Sequence, residues 1–548
     1  MPKNNLVNFI DRHLVNSDYR DSFTKHGFTS FKTYFGNVEK GQPRVYTAPF
    51  AKGCTMGEIL DDWSAVLVSI QDEWPTLWEF EKDLANKVGP MSVQKPLDER
   101  WDDIAHYYED ILLPSTPINR AAINATIKEF SKLGGLHPRS QDLTVEKMKK
   151  STNSGAPDFT KRRNVTQETI PNNVFTMRSG RRPNVMVELD RGEFYTPAIL
   201  GWRGQEGGPA PWDTKQRVIW MFPYAVNVAE LQVYQPLIEK AQHFNIVPAW
   251  VSMDAVDKEI TALFDTKGAD DLVVCTDFSR FDQHFNADLQ VAAKDILSGI
   301  LNTSSPAKVW LSEVFPAKYF IPLAVGAKGN LLQTLAGRHG MASGSGGTNV
   351  DETLTHRALQ YEVAILNDQK LNTHSMCLGD DGILTYPGIT VEDVVDAYSS
   401  HGQECNVSKQ YASTQDCVYL RRWHHTDYRV DGVCVGVYST NRALGRLRYL
   451  ERFMDPEYWS PEMVALRQLS IIENCKHHPL REQFVQFCMA RDKYRLGLDL
   501  PGFLDKVDTL AKEAIDHMPD FLGYTKTLQG EGTGLSSWWV VKYLKSLR

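Results

Sequence analysis

No stretch of this sequence approaches the ~20 consecutive apolar residues that a membrane span requires. Its opening, MPKNNLVNFIDRHL, lacks the basic-then-apolar pattern of a secretory leader. A membrane or secreted protein is therefore not expected. Cysteine is sparse and scattered, at positions 54, 275, 377, 405, 417, 434, 475 and 488, with no C-x-x-C pair. That argues against a disulfide framework and against the common zinc spacings, and it points to a reducing compartment. The nearest metal-like grouping, Cys475 with His477 and His478, reads as a helix end. Net positive charge is missing too. The balance is −8, which excludes a protein that coats nucleic acid over its whole surface but leaves room for an internal basic channel. There are no repeats and no long low-complexity tracts.

What remains is an ordinary globular composition, 42% hydrophobic and 23% charged over 548 residues. That length suits three or four domains, or one large body with interleaved subdomains, and a core of that size needs no disulfides. Ile59, Trp63, Val66 and Ile70 fall at helical spacing before Pro75, and Ile123, Ile127 and Phe130 before Gly134-Gly135. From about Thr152 to Trp212 the chain is rich in Gly, Pro, Asn and Arg and reads as loops and short strands. Further on, LVVCT (Leu272–Thr276) predicts a short strand ending at Asp277. Leu289, Ala293, Ile296 and Ile300 predict a helix. The loop SGSGGTN (Ser343–Asn349) leads into a helix with Leu354, Ala358, Tyr361 and Ile365 on one face. SMCL and ILTY then flank Gly379-Asp380-Asp381 as a hairpin. The order strand, helix, loop, helix, hairpin predicts a ferredoxin-like antiparallel sheet backed by helices. The last ~100 residues read as helical, with Ser460-Pro461 as a helix start. Two runs are locally basic: Lys161, Arg162, Arg163, Arg178, Arg181 and Arg182, and Arg421, Arg422, Arg429, Arg442, Arg446, Arg448 and Arg452. Taken alone, each reads as a solvated face.

A Gly-Asp-Asp triplet by itself is often a plain turn. Asp277 changes its meaning. A strand end and a hairpin turn on neighbouring strands would bring Asp277, Asp380 and Asp381 together, and gathered carboxylates repel unless a divalent cation joins them. Two hard cations held by aspartates clamp the attacking and leaving oxygens of phosphoryl transfer, and Mg²⁺ suits such sparse oxygen sites.

On these residues the chain resembles the viral RNA-directed RNA polymerases, right-hand enzymes with fingers, palm and thumb. DFSRFD (Asp277–Asp282), SGSGGTN and GDD match the family's first three palm motifs, in order. The longer strings DFSRFDQHFN and SGSGGTNVDET are most similar to those of picobirnaviruses, which have double-stranded RNA genomes. TNSGAP (Thr152–Pro157) resembles the template-guiding fingers motif, DTKQRVIW (Asp213–Trp220) the basic fingers motif, NVSK (Asn406–Lys409) the fourth palm motif, and VYLRRW (Val418–Trp423) the hairpin that grips the product strand.

The resemblance implies an α+β right-hand fold with a ferredoxin-like antiparallel palm sheet and a mostly helical thumb. The expected divisions are 1–60 bridging fingers and thumb, 61–225 fingers, 226–300 palm, 301–330 a fingers insertion, 331–430 palm, and 431–548 thumb and C-terminal segment. It implies an RNA-directed RNA polymerase, able to start without a primer, that replicates and transcribes a double-stranded RNA genome. Asp277, Asp380 and Asp381, with the backbone of Phe278, would hold two Mg²⁺ or Mn²⁺ ions, and Lys409 would protonate the leaving pyrophosphate. Arg203, Lys215 and Arg217 would meet the triphosphate, while Asp282, Ser343, Gly344 and Thr348 would read the ribose. The family's usual asparagine, four residues after the threonine, is Glu352 here. Asn349 is the candidate for its role, with Asp351 and Glu352 as alternatives. Ser154, Gly155 and Pro157 would guide template, and Arg421 and Arg422 would grip product. Trp538-Trp539 behind GEGTG (Gly530–Gly534) suggests either a docked C-terminal helix or a priming platform. The implied partners are template and product RNA, ribonucleoside triphosphates and capsid protein, with no membrane. The implied state is a monomer in the virion interior and the host cytoplasm.

Overall fold

The structure, a computed structural model, describes residues 3–17, 22–179, 182–518 and 534–548. Arg181 of the first basic run and residues 530–533 of the glycine-rich C-terminal stretch lie outside the described residues.

At the centre is a four-stranded antiparallel sheet in the order Met376–Leu378, Asp381–Leu384, Val273–Thr276, Tyr411–Ser413. Its strand alternation serves two cores. Val274 and Leu384 join the main core with Leu289, Ile296, Leu354 and Ala358 of the helices Ala287–Ile300 and Thr348–Leu366. Val273, Cys275 and Ile383 pack instead with Val256, Ile260 and Leu263 of the helix Met253–Thr266. Burial on both faces is why LVVCT is continuously apolar rather than alternating. The antiparallel sheet backed by helices is thus the architecture expected from the sequence.

A five-stranded sheet runs Leu14–Ser17, Leu331–Leu335, Leu323–Lys328, Ala198–Gln205, Lys215–Met221, with one parallel pair at its centre. The hairpin Leu323–Leu335 belongs wholly to this sheet, so it crosses the boundary expected between 330 and 331.

From Thr440 onward the described chain is helical, and helices from residues 56–87 pack into it. Trp63, Leu77 and Trp78 share one core with Leu444, Leu466, Phe484 and Val540. The expected start of the fingers at residue 61 therefore falls inside this packing unit. Within the helix Met56–Leu67 a capping box at Thr55 and Glu58 sets the start, and Ile59, Trp63 and Leu67 are buried, whereas Val66 faces solvent. Glu81, fully buried, ties the two ends of the chain: it accepts the Thr440 N–H at 3.2 Å and lies 3.2 Å from His478 Nε2. His478 is thereby a structural partner, and Cys475 beside it is a free buried thiol, consistent with a helix end rather than a zinc site.

The second basic run is neither a solvated face nor a product grip over most of its length. Arg429 pairs with Asp265, Arg442 with Glu206, and Arg448 donates to the carbonyls of Ala51 and Cys54. In the first run, Arg162 bonds Asn227 and lies over the Tyr224 ring. At the C-terminus, Glu473 caps the helix Trp539–Ser546 by accepting the N–H groups of Trp539 and Val540, and Trp538 is buried. The tryptophan pair belongs to a docked helix.

One buried ion pair underlies the central helix. Lys318 and Asp351, both without solvent exposure, meet at 2.9 Å, and Asp351 also accepts from the hydroxyls of Tyr234 and Tyr319. Removing one member would strand a buried charge. Lys318→Met should lower the unfolding free energy by about 3–5 kcal/mol, read from the urea midpoint, and an unchanged midpoint would contradict this account.

Candidate active site

The pairing of Leu378 with Asp381 leaves Gly379 and Asp380 as a two-residue hairpin loop. Gly379 takes φ +58°, where glycine is unstrained. Gly382 is needed for another reason: a Cβ there would stand 2.6 Å from His356 Cε1 and 3.0 Å from Thr276 Oγ1. The two glycines around the acids thus answer different demands, one of backbone angle and one of space.

The helix Thr348–Leu366 holds this hairpin through side chains. Thr353 Oγ1 accepts the Gly379 N–H at 3.0 Å, and His356 Nδ1 lies 2.9 Å from the Gly379 carbonyl oxygen. A carbonyl only accepts, so the proton is on Nδ1. Burial drives the His356 ring down to about 4, which keeps it neutral. Further along, Arg357 Nη1 donates to Ser375 O at 2.6 Å, and Gln360 Nε2 donates to Met376 O at 2.9 Å and Ile383 O at 3.2 Å. Sequence reasoning followed the apolar positions 354, 358, 361 and 365, of which Tyr361 and Ile365 are only half-buried. It missed the polar stripe 353, 356, 357, 360. The available signal was that these polar residues repeat at helical spacing beside the apolar positions.

Asp277 follows its strand into solvent. Its N–H donates to Gln410 Oε1 at 2.7 Å, and its carbonyl accepts from Gln410 Nε2 at 2.9 Å. Gln410, also missed, directly follows Lys409, which is exposed on the turn Val407–Lys409. Phe278 turns its ring inward, stacked on Tyr398 and edge-on to His356. Asp380 reaches solvent at the hairpin tip yet is crowded by protein. That crowding pushes its carboxyl up, followed by the charge of Asp282, while Arg217 pulls it down. Asp381 points the other way. Its Oδ2 accepts the Leu420 N–H at 2.8 Å, and burial followed by the charge of Asp380 raises its carboxyl to about 7. The Leu420-Arg421 turn that supplies this N–H has positive φ at both residues, 53° and 59°, as a two-residue hairpin turn of this kind demands.

The three aspartates therefore do not gather as tightly as expected. Among the described residues, the only three-ligand cluster within 4.8 Å is Asp254, Asp257 and His477, and Asp257 there is already neutralised by Arg422 at 2.8 and 3.1 Å. The reason for the looser grouping is that Asp381 is committed to the Leu420 N–H. The turn is nonetheless a fit for a divalent cation. Asp277, Asp282, Glu352, Asp380 and Asp381 crowd negative charge into one place, two of the aspartates have raised pKa values, and all offer hard oxygen donors.

Beside the turn, Glu352 is buried and hydrogen-bonded to Asp282. Burial, then the charge of Asp282, pushes its carboxyl well above the usual range. Asn349 does not reach this pair: it is exposed, and its Oδ1 accepts from Trp250 Nε1 at 2.7 Å. Glu352 lies one helical turn from Thr348 and so shares its face, whereas Asn349 is rotated by about 100°. Thr348 Oγ1 donates to Ala342 O at 3.0 Å, and Ser343 Oγ accepts the Trp220 N–H at 3.2 Å. A Cβ on Gly344 would lie 1.5 Å from Trp220 O, and one on Gly347 would lie 2.3 Å from the Tyr234 ring. The loop is glycine-rich because it is pressed onto its neighbours.

Lys215 and Arg217 are exposed on one face of the strand Lys215–Met221, with Arg203 directly opposite Arg217. Arg203, however, is engaged by Glu451, which joins the five-stranded sheet to the C-terminal body. Arg422 is held by Asp257, while Arg421 is exposed and directed at the Gln205 amide. Ser154 and Gly155 are buried. Ser154 Oγ accepts the Thr160 N–H at 3.1 Å, its carbonyl accepts the Tyr224 N–H at 2.8 Å, and Pro157 O accepts the Thr24 N–H at 2.7 Å. These three build a turn, and the exposed neighbours Thr152 and Asn153 form its rim.

Asp381 makes a pH prediction for the metal-free protein. Its folded pKa of about 7 stands above the ordinary 3.8, so its contribution is full below pH ~4 and is lost as pH rises through ~7. With chelator present, stability should fall over that window. Asp381→Asn should flatten the fall by on the order of 3–4 kcal/mol, as denaturant titrations at pH 4 and pH 8 would show.

The comparisons with known proteins converge. A family model described as viral RNA-dependent RNA polymerase matches residues 212–484. A potential RNA-dependent RNA polymerase of human picobirnavirus (strain Human/Thailand/Hy005102/-) is 57% identical over 524 residues, 94% of this chain and 96% of that protein. The crystal structure of the RNA-dependent RNA polymerase of a human picobirnavirus is similar with a TM-score of 0.89 and 54% identity, covering 96% of this chain and 100% of that one. The insertion-loop deletion mutant of such a polymerase gives 0.87 and 52%, with the same coverage.

Proposed function

Since the chain belongs to the viral RNA-dependent RNA polymerases, we propose that it extends RNA by two-metal nucleotidyl transfer, with Asp277 and Asp380 as the principal ligands. The observation that carries this reading is the placement of Asp277 and Asp380 at the end and the turn of adjoining strands, with Arg217 close enough to act on Asp380. When bound, Mg²⁺ or Mn²⁺ lowers the pKa of a 3′-hydroxyl and neutralises a departing pyrophosphate.

The chain's own residues do the rest. Gln410 fixes the Asp277 backbone from both sides. Arg217 and Lys215 offer cations to the triphosphate from one strand face. Lys409, exposed beside Gln410, is the general acid for pyrophosphate. Asp381 acts from behind, anchoring the Leu420-Arg421 turn. The hydrogen-bonded Asp282 and Glu352 read the ribose 2′-hydroxyl, with the proton of Glu352 doing the work of an asparagine amide. Ser343, Gly344 and Thr348 shape the loop next to them. Replication of a double-stranded RNA genome, starting without a primer, beside capsid protein in the particle and as a monomer in the host cytoplasm, belongs to the same proposal. It rests on similarity to the human picobirnavirus protein.

Asp380→Asn should reduce ribonucleotide incorporation by about 10³-fold, the several kcal/mol that a lost Lewis acid represents, while RNA binding persists in a filter assay. Retained incorporation would refute the assignment. Glu352→Gln should keep the preference for ribonucleotides over deoxyribonucleotides, and Glu352→Ala should lower it by about tenfold, one net hydrogen bond. Equal preferences in the two variants would remove Glu352 from sugar selection.

A further inference from the structure

Both backbone groups of Gly379 bond to one helix, through side chains one turn apart. Thr353 Oγ1 takes its N–H at 3.0 Å, and His356 Nδ1–H donates to its carbonyl at 2.9 Å. The strand leading into the turn is only three residues long and lies at the sheet edge. Little in the sheet itself fixes the tip that carries Asp380.

The helix, by contrast, is fixed independently at several points. Before its first turn, Ser343 and Gly344 are docked on Trp220. Asp351 is held by Lys318 and two tyrosines. Arg357 forms a bidentate pair with Glu129, and Glu362 meets His401 and the Asn119 N–H. The turn must follow the helix.

His356 carries a further sign. Its Nε2 is buried without a partner. Leaving a polar atom unsatisfied is costly, and a phenyl ring would avoid that cost within the aromatic surroundings of Phe278, Phe281 and Tyr398. What a phenyl ring could not supply is the Nδ1–H for Gly379.

We propose that Thr353 and His356 are positioning residues for the reaction, setting the place of Asp380 relative to Asp277 by clamping Gly379 from both sides. The inference rests on the reading of Asp277 and Asp380 as the metal-holding pair. Its consequence is a specific defect. Loss of the clamp weakens the hold on the divalent cation and slows turnover, while the nucleotide-facing residues Lys215 and Arg217, on another sheet, are untouched.

The test is primer extension by the full chain as a function of Mg²⁺ concentration, repeated with Mn²⁺, for Thr353→Val, Thr353→Ser, His356→Phe and His356→Asn. The valine and phenylalanine variants should show a higher Mg²⁺ half-saturation and a lower kcat, together about 10–100-fold, as for other residues that orient a metal ligand. Nucleotide KM at saturating metal should be unchanged, and Mn²⁺ should recover part of the loss. Serine keeps the hydroxyl, and asparagine keeps an amide donor near the Nδ1 position, so both should stay close to the parent. Folding is checked by melting temperature. If His356→Phe does not fold, the Thr353 pair alone decides. Folded valine and phenylalanine variants with the parent's Mg²⁺ half-saturation and kcat would overturn the clamp, as would an asparagine variant no better than phenylalanine. Asp380→Asn runs in parallel: if it retained activity, the reading of the metal pair would be what fails.

Discussion

Everything at the site depends on the buried polar stripe of the helix Thr348–Leu366. A helix enclosed on nearly all sides would normally be apolar. Here Asp351, Glu352, Thr353, His356, Arg357, Gln360 and Glu362 are all buried. Buried polar groups must find partners or they destabilise the fold, and these find theirs in different parts of the chain: the ion pair with Lys318, the Asp282 loop, the Gly379-Asp380 hairpin, and the segment around Asn119. Apolar contacts would tolerate small rotations and slides. Directional bonds to several separate segments do not, so one helix registers the Asp282–Glu352 pair and the turn of Asp380 in a single frame.

Charge works against this frame. The hairpin crowds carboxyl groups where burial and mutual repulsion raise the pKa values of Glu352, Asp380 and Asp381. Two devices hold the arrangement. Carboxyl groups are hydrogen-bonded to one another, as Glu352 is to Asp282, and acceptors are turned toward backbone donors, as Asp381 is toward Leu420. Asp277 and Asp380 are left facing solvent.

Much of this was legible in the sequence. The LVVCT strand, the two-residue turn and the glycine-rich loop announce themselves because β-branched runs and glycines have direct backbone consequences. Lys215 and Arg217 share a strand face because they are two apart. Other parts were not legible. Gln410 acts through side-chain bonds to distant backbone, which leave no periodic trace, and the helical spacing of Thr353 and His356 does not say what they bind. Asn349 misled because the residue after Thr348 looks near in sequence but points about 100° away on the helix. The arginines misled more broadly: Arg422, Arg442 and Arg448 are internal ties, and hydropathy assigns such residues to the surface.

The interlocking of the two ends of the chain bears on how the protein is made. Trp63 finds Thr440, and Glu81 finds His478, across 377 and 397 residues of chain. At roughly 5–20 residues per second of synthesis, the helices Met56–Leu67 and Pro75–Lys87 wait about 20–80 s for the core they belong to. Through that interval Trp63, Leu77 and Trp78 lack their final neighbours. The right-hand body therefore cannot be completed from one end to the other during synthesis: the helices around Trp63 and Trp78 gain their core only after the C-terminal helices emerge, and the nascent chain carries an exposed apolar face that holding chaperones would recognise.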